Sequence, residues 1–368
     1  MSKRNRFDLP EFFRKPEYYE FLKNSKESDI KKLLSCEPID IDIIERKYKA
    51  RLEDSKSKYN SLLNRFESLD KQYNDLLLLS EQEINYKKIK PIKSDRKHEA
   101  TAKVTWSDWH VDEVVNPRKV NGLNKYNPEI AKKRSELCAI NTIKLVEKER
   151  RDVKIDNIVL HLGGDFIGGW IHEELQQTNS MSPIDATIYA TELLGNSLEY
   201  VIEKGKFKRV VGVCNWGNHG RTTKKMQIAN QGETNFEKII YHNLKAKFGS
   251  KVEFVIDDST LVYYKIYDLL GRFFHGQQIK YNGGIGGLSI PLIKKIAFWD
   301  KTIKAAFNSL GHFHTLGYYP NETTVNASLK GFDTFAQEIG ASFEPPRQAF
   351  QLIDSQYGVT IKAPIICE

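Results

Sequence analysis

Asp108-Trp109-His110, Gly164-Asp165, Gly217-Asn218-His219, His275-Gly276 and Gly311-His312-Phe313-His314 fall in that order along the chain. Each stands just past a run rich in β-branched or apolar residues. Such runs read as strands, so carboxylate, amide and imidazole groups would emerge at strand ends, where they can converge. Asp and Asn oxygens with imidazole nitrogens make the mixed ligand set that holds a pair of divalent transition metals. Two dications about 3.5–4 Å apart can neutralise a phosphodiester, deprotonate a shared water and brace an in-line displacement. An Asp between them supplies the negative charge that lets both sit so close, and neutral imidazoles complete the coordination without over-neutralising the pair. A set without thiolate favours Mn²⁺, Fe or Zn²⁺ in a catalytic role over a structural zinc. Any one of these histidines alone reads as a packed or surface side chain. Only the ordered set carries the metal reading, and His98, His161, His172 and His242 stay outside it.

The elements that would position these groups follow from periodicity. Ala102–Trp106, Asp156–Leu162, Arg209–Cys214 and Val252–Ile256 read as strands. Between them, 127–151, 183–204 and 234–248 read as helices, the first with Pro128 in the first turn behind Asn127. From Leu261 onward the texture changes to short β-rich runs, 261–267, 272–275, 305–310, 315–319, 323–327 and 348–352. Alternating strands and helices followed by consecutive strands predict an α/β (α+β) fold of two packed sheets flanked by helices.

Upstream of residue 100 the chain is of another kind. Residues 1–41 read as short helical pieces. The span 42–86 reads as one long helix: neither Pro nor Gly interrupts it through Gln82, and Tyr59, Leu62, Phe66, Leu69, Tyr73 and Leu76 keep a 3-4 spacing. That stripe needs a cover, either a second copy in a coiled-coil homodimer or a hairpin of the chain's own. A basic linker, 87–99, follows, with Lys87, Lys88, Lys90, Lys93, Arg96 and Lys97 opposed only by Asp95 between them. The catalytic domain is expected over 100–368.

A formal charge of +8 and a sequence pI near 9.0 suit a polyanionic partner, nucleic acid first, although many soluble proteins are mildly basic. No signal peptide is read at the N-terminus, and no stretch approaches the roughly 18 apolar residues of a membrane span. Cys36, Cys138, Cys214 and Cys367 are scattered without metal spacing, so a cytoplasmic protein with free thiols is expected. The run Gly283–Gly287 lacks the strand-turn-helix setting of a dinucleotide fingerprint and reads as a loop beside the site. Trp109 and Trp170 could each stack on a base, with core packing as the plainer reading.

The ordered motif set resembles the calcineurin-like metallophosphoesterase superfamily over about residues 100–330, and within it the branch of SbcD-like DNA-repair exonucleases and related phage enzymes. The resemblance implies a β-sandwich with helices on its outer faces. It implies that Asp108, His110 and His314 hold one metal and Asn218, His275 and His312 the other, with Asp165 bridging. Mn²⁺ is the first choice of metal it suggests, with Fe or Zn²⁺ behind. His219 would face the scissile phosphate and stabilise or protonate the leaving oxygen. Members commonly carry an acidic residue after this His to orient it; this chain reads Gly220-Arg221. Arg221 is therefore a candidate phosphate grip, with Lys224-Lys225 extending the positive patch, and the hold on His219 is left without its usual residue. A partner ATPase or other replication or repair protein is a further expectation of that branch. The function expected is nuclease. Its rivals are a phosphatase or phosphodiesterase for a small nucleotide or phosphoprotein, and a non-enzymatic scaffold on a decayed domain, against which the intact ligand set argues.

Overall fold

Strand β2 (Glu99–Trp106) is buried over its whole length, and its alternation sorts two environments. Ala100, Ala102, Val104 and Trp106 join the apolar layer beneath the helices. Thr101, Lys103 and Thr105 are equally buried but polar, on the opposite face. A computed structural model gives this arrangement and describes residues 26, 28, 41–81, 88, 89, 98–281 and 286–368. The expected short helices of 1–41, most of the basic stretch 87–99 and the glycines at 283 and 284 lie outside the described residues.

The chain divides into two units, Met1–Ile84 and Asn85–Glu368. The first contains helix α1 (Ile41–Glu81). Its stripe stands in water: Tyr59, Leu62, Phe66, Leu69 and Tyr73 are each more than half exposed.

The second unit is built on two sheets. One has the order β12 (Gly358–Ile366), β11 (Arg347–Asp354), β2, β3 (Lys154–Leu162), β4 (Arg209–Cys214), β5 (Val252–Ile256), with β2 to β5 parallel and β11 antiparallel to both neighbours. The other has the order β1 (Lys88–Ile89), β6 (Val262–Ile266), β7 (Leu269–Phe273), β8 (Phe307–Leu310), β10 (Thr323–Val325), β9 (Gly317–Tyr319). Helices α2 (Pro128–Glu149) and α4 (Pro183–Gly205), separated along the chain by the short α3 (Glu173–Thr178), pack on the first sheet, and α5 (Glu237–Phe248) follows α4. Asn127 caps α2 through its side chain onto the Ile130 amide at 2.9 Å, and Ser182 caps α4 onto Asp185 at 3.2 Å, each with Pro next. Val159, Val211 and Val213 turn toward the second sheet and meet Tyr264, Ile266, Phe273 and Phe307. The mixed α/β, two-sheet architecture is thus the one expected.

Several elements go beyond the sequence reading. Ser289–Trp299 is a helix, α6, inside a region read as consecutive strands. Leu292 and Ile296 alone are its buried residues, an i,i+4 pair too brief to stand out beside a glycine-rich run. The last strand, β12, escaped because Pro364 interrupts it; as the sheet's edge strand it tolerates a residue without an amide proton. Lys88 and Ile89, within the expected linker, pair in parallel with Lys265 and Ile266.

Between the sheets Lys103 donates from Nζ to Thr105 (2.8 Å), Gln351 (3.0 Å) and Ser309, all neutral acceptors. Burial lowers its pKa to about 7. The unfolded chain holds this proton up to the ordinary lysine range near 10.5 and the folded chain releases it near 7. Over that window the unfolded state binds more protons, so this group's contribution rises with pH, by at most about 1.4 kcal/mol per unit. Lys103→Met should remove that slope: chemical denaturation from pH 7 to 9 shows the stability difference between variant and wild type drifting in favour of wild type. A constant difference would mean the lysine does not titrate there.

Candidate metal centre

The five motifs sit on loops that leave the C-terminal ends of β2, β3, β4, β7 and β8. Neighbouring loops are laced by backbone bonds: Asp108 N to Gly164 O (2.9 Å), His110 N to Asp165 O (3.1 Å) and Gly311 N to His275 O (2.7 Å). Close approach of the second and third loops requires glycine. A Cβ on Gly164 would strike the Gly217 backbone, and one on Gly217 would strike Asp165. Asp108, His110, Asp165, His312 and His314 all take positive φ, between 46° and 72°. Such backbone costs about 1–3 kcal/mol per non-glycine residue and clusters at functional sites.

The strained turns bring the expected side chains together. Asp108, His110 and His314 offer ligand atoms all within 4.8 Å of one another, as do Asp165, His275 and His312. The His110 and His314 Nε2 atoms lie 3.1 Å apart. Asn218 joins the second group, with Oδ1 3.2 Å from His275 Nε2, and Asp165 Oδ2 stands 2.9 Å from the same nitrogen. His219 lies against the first group, its ring centroid 4.7 Å from that of His110.

Neighbouring groups fix which atoms face inward. His275 Nδ1 donates to Gly163 O at 2.7 Å, leaving Nε2 as the donor atom for a cation. His110 Nδ1 is held 2.9 Å from Glu113 Oε1, and Glu113 is in turn held by Lys330 at 2.6 Å. Asp108 accepts the His312 amide at 2.9 Å and the Ser107 hydroxyl. Asp165 Oδ1 accepts the His219 amide at 2.7 Å. Glu237, fully buried, accepts Phe166 N (2.8 Å) and Gly217 N (2.6 Å), tying the second and third loops from beneath.

The electrostatics follow from burial. Burial alone would raise the Asp165 carboxyl, but the positive charge on His275 outweighs it and holds the group well below the carboxylate range. Burial likewise opposes charge on His275, yet Asp165 and Asp108 push it up to about 9. Burial keeps His219 and His312 neutral, at about 4 and about 3. Two buried carboxylates are thus compensated by an imidazolium where a cation could replace its proton. Carboxylate, amide and imidazole donors without thiolate fit a hard-to-borderline divalent ion.

Two features of the site were not legible as chemistry. The residue that orients His219 is no acid: its Nδ1 donates to Gly168 O at 2.8 Å. Arg221 folds back on its own loop, with Nη1 on Asn218 O (2.7 Å) and Nε on Thr223 O (3.1 Å), so it braces the turn that carries Asn218. Glu113, Glu237 and Gly168 went unread; Glu113 alone had a signal, three residues after His110. Trp109 is core, packed edge-on to Phe166 with centroids 5.3 Å apart, whereas Trp170 is 47% exposed. His161 is buried and neutral between Ser309 and Asn215. Asn326 and Ser328 are buried braces on Ser107 (2.8 Å) and the Asp108 carbonyl (2.7 Å). Cys138, Cys214 and Cys367 are buried free thiols, and no described helix is long and apolar enough to cross a membrane.

Fold and side chains together define a two-sheet α/β protein with a buried cluster of candidate metal ligands at strand ends. No family model and no curated protein sequence matches the chain. Solved structures similar to it include Vps29 of Entamoeba histolytica complexed with zinc, at 13% identity and TM-score 0.25 over 46% of this chain and 87% of that one. A conserved uncharacterized protein of Streptococcus pneumoniae, described as a predicted phosphoesterase, aligns at 10% and 0.28 over 72% and 98%. The sulfate thiohydrolase SoxB of Thermus thermophilus aligns at 9% and 0.30 over 74% and 58%. At these values the likeness carries no functional argument, which falls to the side chains.

Proposed function

We propose that this chain is a dinuclear metal-dependent phosphodiesterase, and that its substrate is nucleic acid. The observation that carries the reading is the convergence of Asp108, His110, Asp165, Asn218, His275, His312 and His314 at strand ends, five of them held at positive φ. Asp108, His110 and His314 would hold one ion and Asn218, His275 and His312 the other, with Asp165 reaching both. When bound, such a pair supplies Lewis acidity toward phosphate and a nucleophilic water at neutral pH. The chain's own residues do the rest. His275 is held in orientation by Gly163 O, and His110 turns Nδ1 toward Glu113. The neutral His219 ring keeps its proton on Nδ1, donated to Gly168 O, and leaves Nε2 open. An anionic phosphate against Nε2 favours protonation there and a proton donated to the leaving oxygen. The net charge of +8 supports the polyanion.

With Mn²⁺, the purified full chain should hydrolyse bis-(p-nitrophenyl) phosphate and single-stranded DNA, and a chelator should abolish both. Hydrolysis of p-nitrophenyl phosphate or a small nucleotide alone would replace the nuclease by a small-substrate phosphatase. No turnover and no thermal shift with Mn²⁺, Fe²⁺ or Zn²⁺ would end the metal reading.

A second copy is the proposed cover for the exposed stripe of α1. Leu62→Asp with Leu69→Asp should give monomers by light scattering, whereas wild type runs as a dimer. A monomeric wild type would assign the stripe another cover.

A further inference from the structure

We infer that the groove walled by Trp170 and Arg221 is a nucleoside subsite in which the Trp170 indole stacks on the base adjoining the scissile phosphate. The inference rests on the phosphodiesterase reading and names the part of the substrate that reading leaves open. The groove holds about 480 Å³, and Trp170, Ile184, Thr223, Arg221 and Lys224 are among its walls. That volume falls in the range of small-ligand pockets, about 300–1,000 Å³.

Trp170 is set apart from its counterparts by exposure. Trp106 and Trp109 are fully buried and Trp216 is 2% exposed, while Trp170 shows 47% of its surface. An indole face left in water within a groove offers a sequence-tolerant platform for a base. Its position is fixed by the same turn that holds the imidazole. The Asp112 carboxylate accepts the amides of both Gly168 and Gly169, the latter at 3.1 Å, and Asn179 Nδ2 bridges Asp112 (2.8 Å) to Gly169 O (2.9 Å). Gly169 sits at φ +61° with the His219 carbonyl where a Cβ would be. Gly168 O receives His219 Nδ1. One pinned two-glycine turn therefore carries the leaving-group histidine on one side and delivers Trp170 on the other.

Charge argues for a base rather than a second phosphate. Glu173 also lines the groove, 3.8 Å from Lys224, and Arg221 is largely committed to backbone carbonyls. The groove thus lacks the concentrated positive charge a polyphosphate needs, and keeps aromatic and hydroxyl surface that suits a nucleoside.

The test compares thymidine 5′-(p-nitrophenyl phosphate) with bis-(p-nitrophenyl) phosphate, using the Mn²⁺-loaded full chain. Trp170→Ala should lower the ratio of kcat/KM for the nucleoside ester over the simple ester by about ten- to a hundredfold, the value of one base–aromatic stack. Trp170→Phe should restore most of it, with the loss in KM. An unchanged ratio overturns the inference. A second readout needs no turnover: with chelator present, dTMP or oligo(dT) should quench wild-type tryptophan fluorescence saturably, and Trp170→Phe should lose the quench. Quenching by oligo(dT) alone assigns the subsite to a strand, quenching by both to a nucleoside in either form, and quenching by neither sinks it. Quenching without hydrolysis of any phosphodiester would defeat the phosphodiesterase reading and leave the subsite standing.

Discussion

Asp165→Asn should lower phosphodiester hydrolysis by about a thousandfold or more, the scale on which a buried electrostatic element of an active site is lost. The change keeps the shape of the side chain and removes its charge. Asp165 has both oxygens engaged, one by the His219 amide and the other beside His275 Nε2. An amide can still accept the first bond, so the loop should stay in place. It cannot supply the charge that lets two cations approach, nor raise His275 as the carboxylate does. Metal content by elemental analysis should therefore fall together with the rate, while the far-ultraviolet circular dichroism stays that of wild type. A variant that keeps two ions and wild-type turnover would remove Asp165 from the centre.

His219→Gln should behave differently, and the contrast separates ligand from proton donor. Loss of a general acid costs about 10²–10⁴ in rate. Metal content should be retained, because the two candidate triads are complete without His219. The loss should also depend on the leaving group, being larger for DNA than for a p-nitrophenyl ester, whose phenolate departs without help. His219 can also group with His110 and Glu113 as a third cluster of possible ligands. If metal falls in step with rate in His219→Gln, that cluster is the correct assignment and the leaving-group role is wrong.

The candidate donor set was legible in the sequence because it depends on residue type and order, and each candidate ligand follows a strand that local pattern reveals. Asp108 follows an alternating strand, and Asp165, Asn218 and His275 follow apolar ones. The braces were not legible. Glu237 lies twenty residues beyond Gly217, and Lys330 lies 217 beyond Glu113. Such pairs are set by where the chain returns in space, which no window of sequence contains. The Gly168 carbonyl that holds His219 is a backbone atom, so no residue type announces it. Arg221 shows the converse: its side chain suggested a phosphate grip, and the turn geometry directs it onto Asn218 O.

Composition and period are local properties, and they were enough to read which groups could bind metal, the two-sheet class and the amphipathic stripe of α1. Tertiary structure alone decided how those groups are aimed. Backbone forced to positive φ at Asp108, His110, Asp165, His312 and His314 is stable only when neighbouring loops hold it. Trp109 and Trp170 are chemically identical in sequence, yet one is packed against Phe166 and the other faces a groove. Burial is a property of the assembled fold, and it separates them.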